Sequence, residues 1–378
     1  MRVALVSDWF LPRVGGIELH LRDLALALRA RGVDARIVTT TRGADVVDGV
    51  PVHRVPAALA PGPAFAFSPS ALRRVAEVIR TERCDVVHAH ASVVSPVAYA
   101  GALAGARAKL PTVLTFHSML HGSALLLGAS EALFGWAHGR IVLSAVSSVV
   151  AAQATRWMPG AGVAVLPNGV DAAFWRTAPR TDPRDDGELL YVTAMRLSRK
   201  KRPFALLRAF ASATRFVGGA PRMRLVFAGD GPERMAIARH AAALGIGDRV
   251  ELRGHIGRDE LRRLYATAHA FVLPSERESF GIAALEARAA GLPVIAMLGS
   301  GVRDFIHQGV DGLLARDEGE LSRALSRLAL DAPFRAYVTR HNAASAPPYD
   351  WADVAGLHET IYAAAAVLRV AAPRANQR

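Results

Sequence analysis

The sequence predicts an α/β protein built from two Rossmann-like, doubly wound parallel-sheet domains facing a cleft. Three observations carry this. Short apolar runs of strand length alternate with helical segments from the N-terminus onward. At Thr177 to Gly187, reading TAPRTDPRDDG, the chain turns polar with two prolines and a glycine, and beyond it the alternation restarts. The length, 378 residues, exceeds what one hydrophobic core usually fills. The boundaries read this way are 1–175 for the first domain, 176–187 for a linker and 188–350 for the second domain. Residues 351–378 are a C-terminal helix and tail that pack back on the first domain.

In the first half, RVALVSD is a short apolar run ended by a loop, the mark of a buried parallel strand. The loop Trp9 to Gly16 carries Pro12 and Gly15-Gly16. A helix follows, with Leu19, Leu21, Leu24, Leu26 and Leu28 filling much of one side and Gly32 at its end. Val33–Thr39 and residues 50–56 read as strands. Ser68–Thr81 reads as a helix, with Ser68 as cap and Pro69 in the first turn. Strands at Asp85–His90, Pro111–Phe116 and Arg140–Val146 alternate with helices at Val93–Ala108 and Ser123–Ala137. Ser147 caps a further helix to Trp157, and Val163–Leu166 is the last strand of this half.

After the linker, strands are expected at Leu189–Ala194, Arg224–Ala228, Val250–Arg253, Ala270–Leu273 and Pro293–Met297. Helices are expected at Pro203–Phe216, Glu233–Leu244, Asp259–Thr267 and Ile282–Ala290, with a helical C-terminus strongest over Trp351–Val367. There is no internal repeat of 20–50 residues.

Composition narrows the function classes. A hydrophobic share of 51% with 21% charged residues is globular, which excludes a disordered chain. Lys plus Arg is 46 against 33 for Asp plus Glu, a net charge of +13. That excess suits polyanionic partners (nucleic acid, anionic lipid headgroups, phosphorylated substrates) and equally serves as solubilising surface charge. No zinc knuckle or RNP motif accompanies it, so nucleic acid is not expected as a partner. Cys84 is the single cysteine, which rules out an intrachain disulfide and fits a reducing compartment. The run Val3–Val6 is too short for a signal peptide, and no run of ~18 apolar residues occurs. A cytoplasmic protein is expected, in contact with the inner face of a membrane if with any.

Ligands of doubly wound sheets bind in loops at the C-terminal strand ends. Gly15-Gly16 precedes a helix, where glycine admits a close ligand and free N–H groups attract an anion; the pair also serves as an ordinary turn. It is neither G-x-G-x-x-G nor a P-loop. The run RLSRKKR crowds cations, Arg196 and Lys201 among them, into one strand-end loop, a seat for a diphosphate or a solvated basic loop. His88 and His90 alternate and so share a face, but a metal site needs more ligands and none is evident nearby. His117 ends the strand PTVLTFH, where it contacts a sugar hydroxyl, acts on a proton or is structural.

The stretch Pro274 to Pro293 holds Glu278 and Glu286. Glu278 lies in the loop before a helix and Glu286 in its second turn. A helical carboxylate can accept both hydroxyls of a ribose diol. Ser279-Phe280-Gly281 leaves backbone N–H groups aimed at an anion. Taken singly, each glutamate is also explained as a surface or helix-dipole charge.

These residues resemble the retaining glycosyltransferases of family four. Pro274-Ser275, Glu278-Ser279-Phe280-Gly281 and Glu286-Ala287 look like that family's pair of glutamates eight positions apart, and RLSRKK resembles its diphosphate loop. Gly15-Gly16-Ile17-Glu18, DVVHAH, TFH, PNGVD, GDGP at 229–232 and GLPVI at 291–295 follow in the family's order, so the likeness spans residues 2 to 365. The N-terminal VSDWFLPRVGGIELH is also similar to the catalytic subunits that add N-acetylglucosamine to phosphatidylinositol.

The resemblance implies a GT-B fold and transfer of a hexosyl or N-acetylhexosaminyl group from a nucleotide diphosphate sugar, UDP or GDP, to a hydroxyl acceptor. The acceptor would be a glycan, a lipid-linked molecule or a small molecule. It implies no cofactor and no metal. Arg196 and Lys201 would hold the diphosphate, with Lys200 as the other choice for the lysine. Glu286 would take the ribose, and Glu278 with the amides of Phe280, Gly281 and Ile282 the sugar and its phosphate. Gly15 and Gly16 would approach the phosphate from the other domain, His117 would contact the sugar, and the Gly254–Ile256 loop would lie by the base. Met195 departs from the pattern's usual glycine, and Ser300-Gly301-Val302-Arg303-Asp304 from a more common Gly-Gly-x-x-Glu.

Two other classes fit the architecture: a nucleotide-sugar 2-epimerase, and a binding protein without activity. The paired glutamates speak against the first. Arg196, Lys201, Glu278 and Glu286 occurring together speak against the second. A membrane-surface helix is a further reading for residues 68–84, where Arg73, Arg74, Arg80 and Arg83 flank Leu72, Val75, Val78 and Ile79, joined by the apolar segment 119–136 near the expected acceptor side; the other reading is that both apolar faces pack on the sheet.

Overall fold

The computed structural model describes residues 1–55, 69–120, 141–158, 160–176, 187–345 and 347–371. Residues 177–186 of the predicted linker, the Ser123–Ala137 helix, the Ser68 cap and most of the apolar segment 119–136 lie outside these residues. The chain divides into two compact units. One is Met1–Gly169 together with Trp351–Arg378; the other is Val170–Asp350. Residues 170–175 therefore belong to the second unit, and the C-terminal helix to the first.

The first unit holds an eight-stranded sheet. Its strands are β1 (Arg2–Ser7), β2 (Asp34–Thr39), β3 (Val46–Val47), β4 (Val50–Arg54), β5 (Val86–Ala91), β6 (Thr112–Phe116), β7 (Ile141–Ala145) and β8 (Val163–Val165). Their order is β3-β4-β2-β1-β5-β6-β7-β8. All neighbours run parallel except β3 and β4, which form a hairpin. Its two-residue loop, Asp48-Gly49, has positive φ at both positions (48° and 76°), the turn that matches strand twist. The sequence reading takes residues 50–56 as a lone strand and omits this partner.

Helix α1 (Gly16–Ala30) buries His20, Leu21, Leu24, Ala25 and Leu28 on one face. That spacing is helical, and Leu26, off the stripe, is exposed. Helix α2 (Pro69–Thr81) turns Val75 and Ile79 into a cluster with Val6, Val38 and Val87. Its apolar face is therefore spent on the sheet, and Arg73, Arg74 and Arg80 remain outside. Helix α3 is Pro96–Arg107, and α4 (Ser148–Trp157) is capped by Ser147, whose side chain accepts from the Val150 N–H at 3.3 Å.

In the second unit the strands are β9 (Glu188–Ala194), β10 (Arg222–Ala228), β11 (Val250–Gly254), β12 (Ala270–Leu273), β13 (Val294–Met297) and β14 (Gly312–Ala315). The order is β11-β10-β9-β12-β13-β14, all parallel. This is the doubly wound order, with its reversal between β9 and β12. The helices are α5 (Ala172–Trp175), α6 (Pro203–Val217), α7 (Arg234–Ala243), α8 (Arg258–Thr267), α9 (Ile282–Ala289), α10 (Glu318–Leu330) and α11 (Ala332–Ala344). The core gathers Leu206, Phe210, Leu225 and Phe227 around Tyr191, whose hydroxyl donates to the Leu325 carbonyl at 2.8 Å. Each such fully buried side chain contributes roughly 1.5–3 kcal/mol.

The last helix, α12 (Trp351–Ala371), returns to the first unit, where Ala355, Ile361 and Tyr362 pack with Leu5, Leu21 and Leu24. Among the described residues, no helix is long and apolar enough to cross a membrane.

Candidate active site

Each sheet reverses its strand order once, and a crevice opens at the carboxyl ends of the two strands that flank the reversal. In the second unit those strands are β9 and β12. The loop after β9 is Met195–Arg202 and the loop after β12 is Pro274–Gly281. They meet: Lys201 Nζ donates to Glu278 Oε2 at 2.6 Å, with the two side chains 32% and 14% exposed. Arg202 pairs with Glu276, and the buried Ser275 hydroxyl donates to the Lys201 carbonyl at 3.4 Å. Arg196 and Lys200 are exposed on the same loop. The lysine that spacing alone separates weakly from its neighbour is thus the one bonded to Glu278.

Glu278 is held from behind as well, because its carbonyl accepts from the Gly301 N–H at 2.9 Å. A β-carbon on Gly301 would lie 2.1 Å from the Ser279 carbonyl oxygen, so the glycine of the departing Ser300–Asp304 segment stands where the close approach needs one. Phe280 is buried against Phe305 and Tyr349, ring centroids 5.2 and 5.9 Å away. Gly281 caps α9 with φ 95°, and its carbonyl accepts from Ala284 and Leu285. The first N–H groups of a helix, here those of Ile282 and its neighbour, have no partner within it and carry the positive end of its dipole. Glu286 is half-buried one turn on. The Tyr265 hydroxyl is pushed well above its ordinary pKa, chiefly by burial and also by the Glu286 carboxylate. Ile256 is half-buried in the loop after β11.

Met195, where the resembled pattern has glycine, is buried in the core under its strand. The close contact here is made from the opposite side. Gly229 has φ 136°, and a β-carbon on it would sit 2.0 Å from the Met195 carbonyl oxygen. The Met195 N–H donates to Ala228 and the Leu197 N–H to Asp230, so the GDGP turn braces the cation loop. A Gly229→Ala variant meets both a left-handed φ and a backbone collision. It is expected to lose ~3 kcal/mol or more of stability, read as a drop in the urea midpoint at unchanged slope.

In the first unit the reversal lies between β1 and β5. Gly15 caps α1 in an extended conformation, Gly16 is its exposed first residue, and the Glu18 carboxylate folds back toward Gly15 while pairing with Arg13 at 3.2 Å. Asp8, at the end of β1, is buried and accepts from the Val97 and Ala98 N–H groups at 3.0 and 3.3 Å. It thereby caps α3, and burial pushes its carboxyl up to about 6 against the pull of those two amides.

Beside it lies a group of buried histidines. His88 and His90 share one face of β5, as alternation requires, with rings 3.9 Å apart. His88 is fully engaged: Nδ1 meets the Tyr362 hydroxyl at 2.9 Å and Nε2 the Thr115 hydroxyl at 2.6 Å. His90 Nδ1 lies 2.9 Å from His117 Nε2. His20 comes in from α1 and His358 from α12, with ring centroids 5.1 Å between His20 and His117 and 5.5 Å between His88 and His358. Burial holds every one of the five below its ordinary value, His117 at about 3 and His358 at about 4. At neutral pH all five are uncharged.

The structure therefore joins Lys201 to Glu278 at the β9–β12 reversal, with Phe280, Gly281, Ile282 and Glu286 following on the same loop and helix and Arg196 on the loop of Lys201, and it places Gly15 and Gly16 at the start of α1 and His117 just after β6 in the other unit. Asp8 is legible only as the start of the strand-end loop running to Gly16, and His20 and His358 are not among the residues the sequence singles out. His20 was legible, since it falls on the buried stripe of α1; His358 lies in a distant helix and had no local signal.

The two halves match the models of known transferases. Residues 14–174 match Glycosyltransferase Family 4, and residues 176–344 match Glycosyl transferases group 1. The chain is 31% identical to D-inositol 3-phosphate glycosyltransferase of Streptosporangium roseum, over 93% of this chain and 88% of that one. It is 27% identical to the gpi3 subunit of phosphatidylinositol N-acetylglucosaminyltransferase in Schizosaccharomyces pombe, over 95% and 79%. A crystal structure of Anabaena HepE in complex with UDP and glucose superposes with a TM-score of 0.76 at 22% identity, covering 96% of this chain and all of that one, a likeness of fold. The chain is an enzyme of the GT-B fold, and it belongs to glycosyltransferase family four.

Proposed function

We propose that this enzyme transfers a hexosyl or N-acetylhexosaminyl group from UDP- or GDP-sugar to a hydroxyl acceptor with retention at the anomeric carbon. The observation that carries the reading is the Lys201–Glu278 bond at the β9–β12 reversal, made in the loop that leads into the N-terminus of α9, the helix that carries Glu286. A diphosphate is the ligand that suits a lysine, a neighbouring arginine and free helix amides at once. HepE, of like fold, has been crystallised with UDP and with UDP-glucose, which supports a uridine diphosphate donor.

In this reading Arg196 and Lys201 bind the diphosphate, and Glu286 receives the ribose hydroxyls. Glu278 and the amides of Phe280, Gly281 and Ile282 hold the sugar and its phosphate. Gly15 and Gly16 approach the phosphate, His117 the sugar, and Ile256 the base. The acceptor oxygen forms its bond to the anomeric carbon on the face from which the diphosphate departs, and its proton passes to the departing phosphate oxygen. The cations and amides stabilise the charge that grows on that oxygen, so the transfer itself takes no metal and no cofactor. Domain closure keeps water out.

The acceptor is a hydroxyl of a glycan, a lipid-linked molecule or a small polyol. The names of two relatives carry inositol, as D-inositol 3-phosphate and as phosphatidylinositol, which makes inositol phosphates and phosphatidylinositol the first acceptors to try. Contact with an anionic inner membrane leaflet would rest on the arginines of α2, since its apolar face is occupied. Vesicle sedimentation at low and high salt tests that contact, and no binding at low salt removes it.

A thermal-shift screen against UDP-, GDP- and ADP-sugars is expected to raise the melting temperature with one base class, by mass action. Incubation of that donor with inositol phosphate, followed by NMR of the product anomer, then reads transfer and stereochemistry. Interconversion of the donor without any acceptor would establish an epimerase in place of the transferase. No shift with any nucleotide sugar would sink the donor assignment.

A further inference from the structure

Among the described residues, one ring nitrogen from each of His20, His90 and His117 lies within 4.8 Å of one from each of the others. In a tetrahedral zinc site with nitrogens at about 2.0–2.1 Å from the metal, neighbouring nitrogens stand about 3.4 Å apart. One pair already stands closer than that, His90 Nδ1 and His117 Nε2 at 2.9 Å. Their carriers are fixed: His90 and His117 end two adjacent strands paired in register, with Ala91 opposite Phe116, and His20 sits on the buried face of α1.

The bonding around the cluster separates ligands from supports. His20 Nδ1 and His90 Nε2 are buried and have no hydrogen-bond partner among the described residues. A buried polar nitrogen left so costs roughly 1–3 kcal/mol, which a metal–nitrogen bond would remove. His88, by contrast, spends both nitrogens on Thr115 and Tyr362 and lies against the His90 ring as its packing support. His358 gives its Nδ1 to the Val354 carbonyl at 2.8 Å. Histidines held by such outer partners orient the ligands beside them. Three neutral imidazoles are a borderline, all-nitrogen donor set, suited to late first-row dications and unsuited to Mg²⁺ or Ca²⁺, which take oxygen.

We propose that His20, His90 and His117 form a binding site for a late first-row divalent cation, Zn²⁺ foremost, with a further coordination position open to water or an exogenous ligand. The site shares His117 with the proposed sugar contact but none of the diphosphate ligands, since Arg196 and Lys201 belong to the other unit, and metal binding is read with no donor present, so its failure and the failure of the donor reading are told apart.

The test uses the full chain, stripped of metal by a chelator and then titrated with Co²⁺ alone. The expected result is one equivalent of Co²⁺ bound with visible ligand-field bands, displaced by Zn²⁺, and a melting temperature raised by Zn²⁺ but not by Mg²⁺. His20→Gln and His117→Gln, each first shown to be folded, are expected to bind Co²⁺ at least about tenfold more weakly. His255→Gln, at an exposed position, is expected to bind as the parent chain does. Absence of both bands and Zn²⁺ stabilisation in the parent chain overturns the site, and this measurement needs no variant. Bands undiminished in both folded variants overturn it equally.

Discussion

Between about pH 7.5 and about pH 5.5 the metal-free chain is expected to lose most of the stability of its first unit. The cause is the histidine group. His20, His88, His90, His117 and His358 are neutral in the fold because burial opposes their charged forms. In the unfolded chain each recovers an ordinary value near 6.5. Depressed folded values mean that stability is fully present above that unfolded value and is lost as pH falls below it, since the unfolded state takes up protons that the native state refuses. Over this window each histidine costs about 1.4 kcal/mol, or about 7 kcal/mol for the five. Asp8 acts in the opposite sense. Its carboxyl is raised to about 6 in the fold, so the native state gains a proton first and recovers about 1 kcal/mol. The remainder, about 6 kcal/mol, is comparable to the whole stability of a typical domain. Urea unfolding at three pH values, with hydrogen exchange used to assign the transition to β1, β5 and β6, measures it. A midpoint unchanged across the window would mean that the imidazoles are not held neutral in a dry cluster.

That cluster also shows where the sequence stops being informative. Strand alternation placed His88 and His90 on one face, because the period of a strand is local. Nothing local says that His20 and His358 arrive on the same spot, since that depends on how α1 and α12 cross the sheet. The second unit was more legible. Its central strands β12 and β13 are short apolar runs buried on both faces, and most of its candidate site residues lie in the loops after β9 and β12. The roles proposed for them rest on the resemblance to family four. Backbone packing, in contrast, had to be seen: the contact of Gly229 with Met195, and of Gly301 with Ser279, shows why glycines stand there and why methionine is tolerated at 195. The sequence shows a helical C-terminus after residue 297 but not β14 or the break between α10 and α11. Gly312 at the start of β14 packs 1.9 Å, as a would-be β-carbon, from the Val294 carbonyl oxygen, and that requirement has no sequence signature.

Replacing Lys201 by alanine is expected to cut transfer by about 10²-fold or more while leaving the fold nearly intact. The two effects separate because the ammonium has two jobs of different size. In the free enzyme it pairs with Glu278 at 2.6 Å, but the lysine side chain is 32% exposed, and pairs open to water contribute about 1 kcal/mol or less. In the transition state, under the proposed reading, it faces charge growing on the departing phosphate in a site from which water has gone. Removing a preorganised charge-stabilising donor there costs about 3–4 kcal/mol. The donor must also compete with Glu278 for the ammonium, so Glu278→Gln, which keeps the shape and removes the pair, separates release of the lysine from its use. If the pair restrains Lys201, this variant binds the nucleoside diphosphate at least as tightly as the parent while losing activity through the sugar contact. Steady-state rates with the donor found by thermal shift, set beside urea midpoints for both variants, give the comparison. A Lys201→Ala enzyme that keeps its rate within about fivefold would remove the lysine from the diphosphate site. A loss of rate matched by an equal loss of stability would reduce its role to holding the Pro274–Gly281 loop.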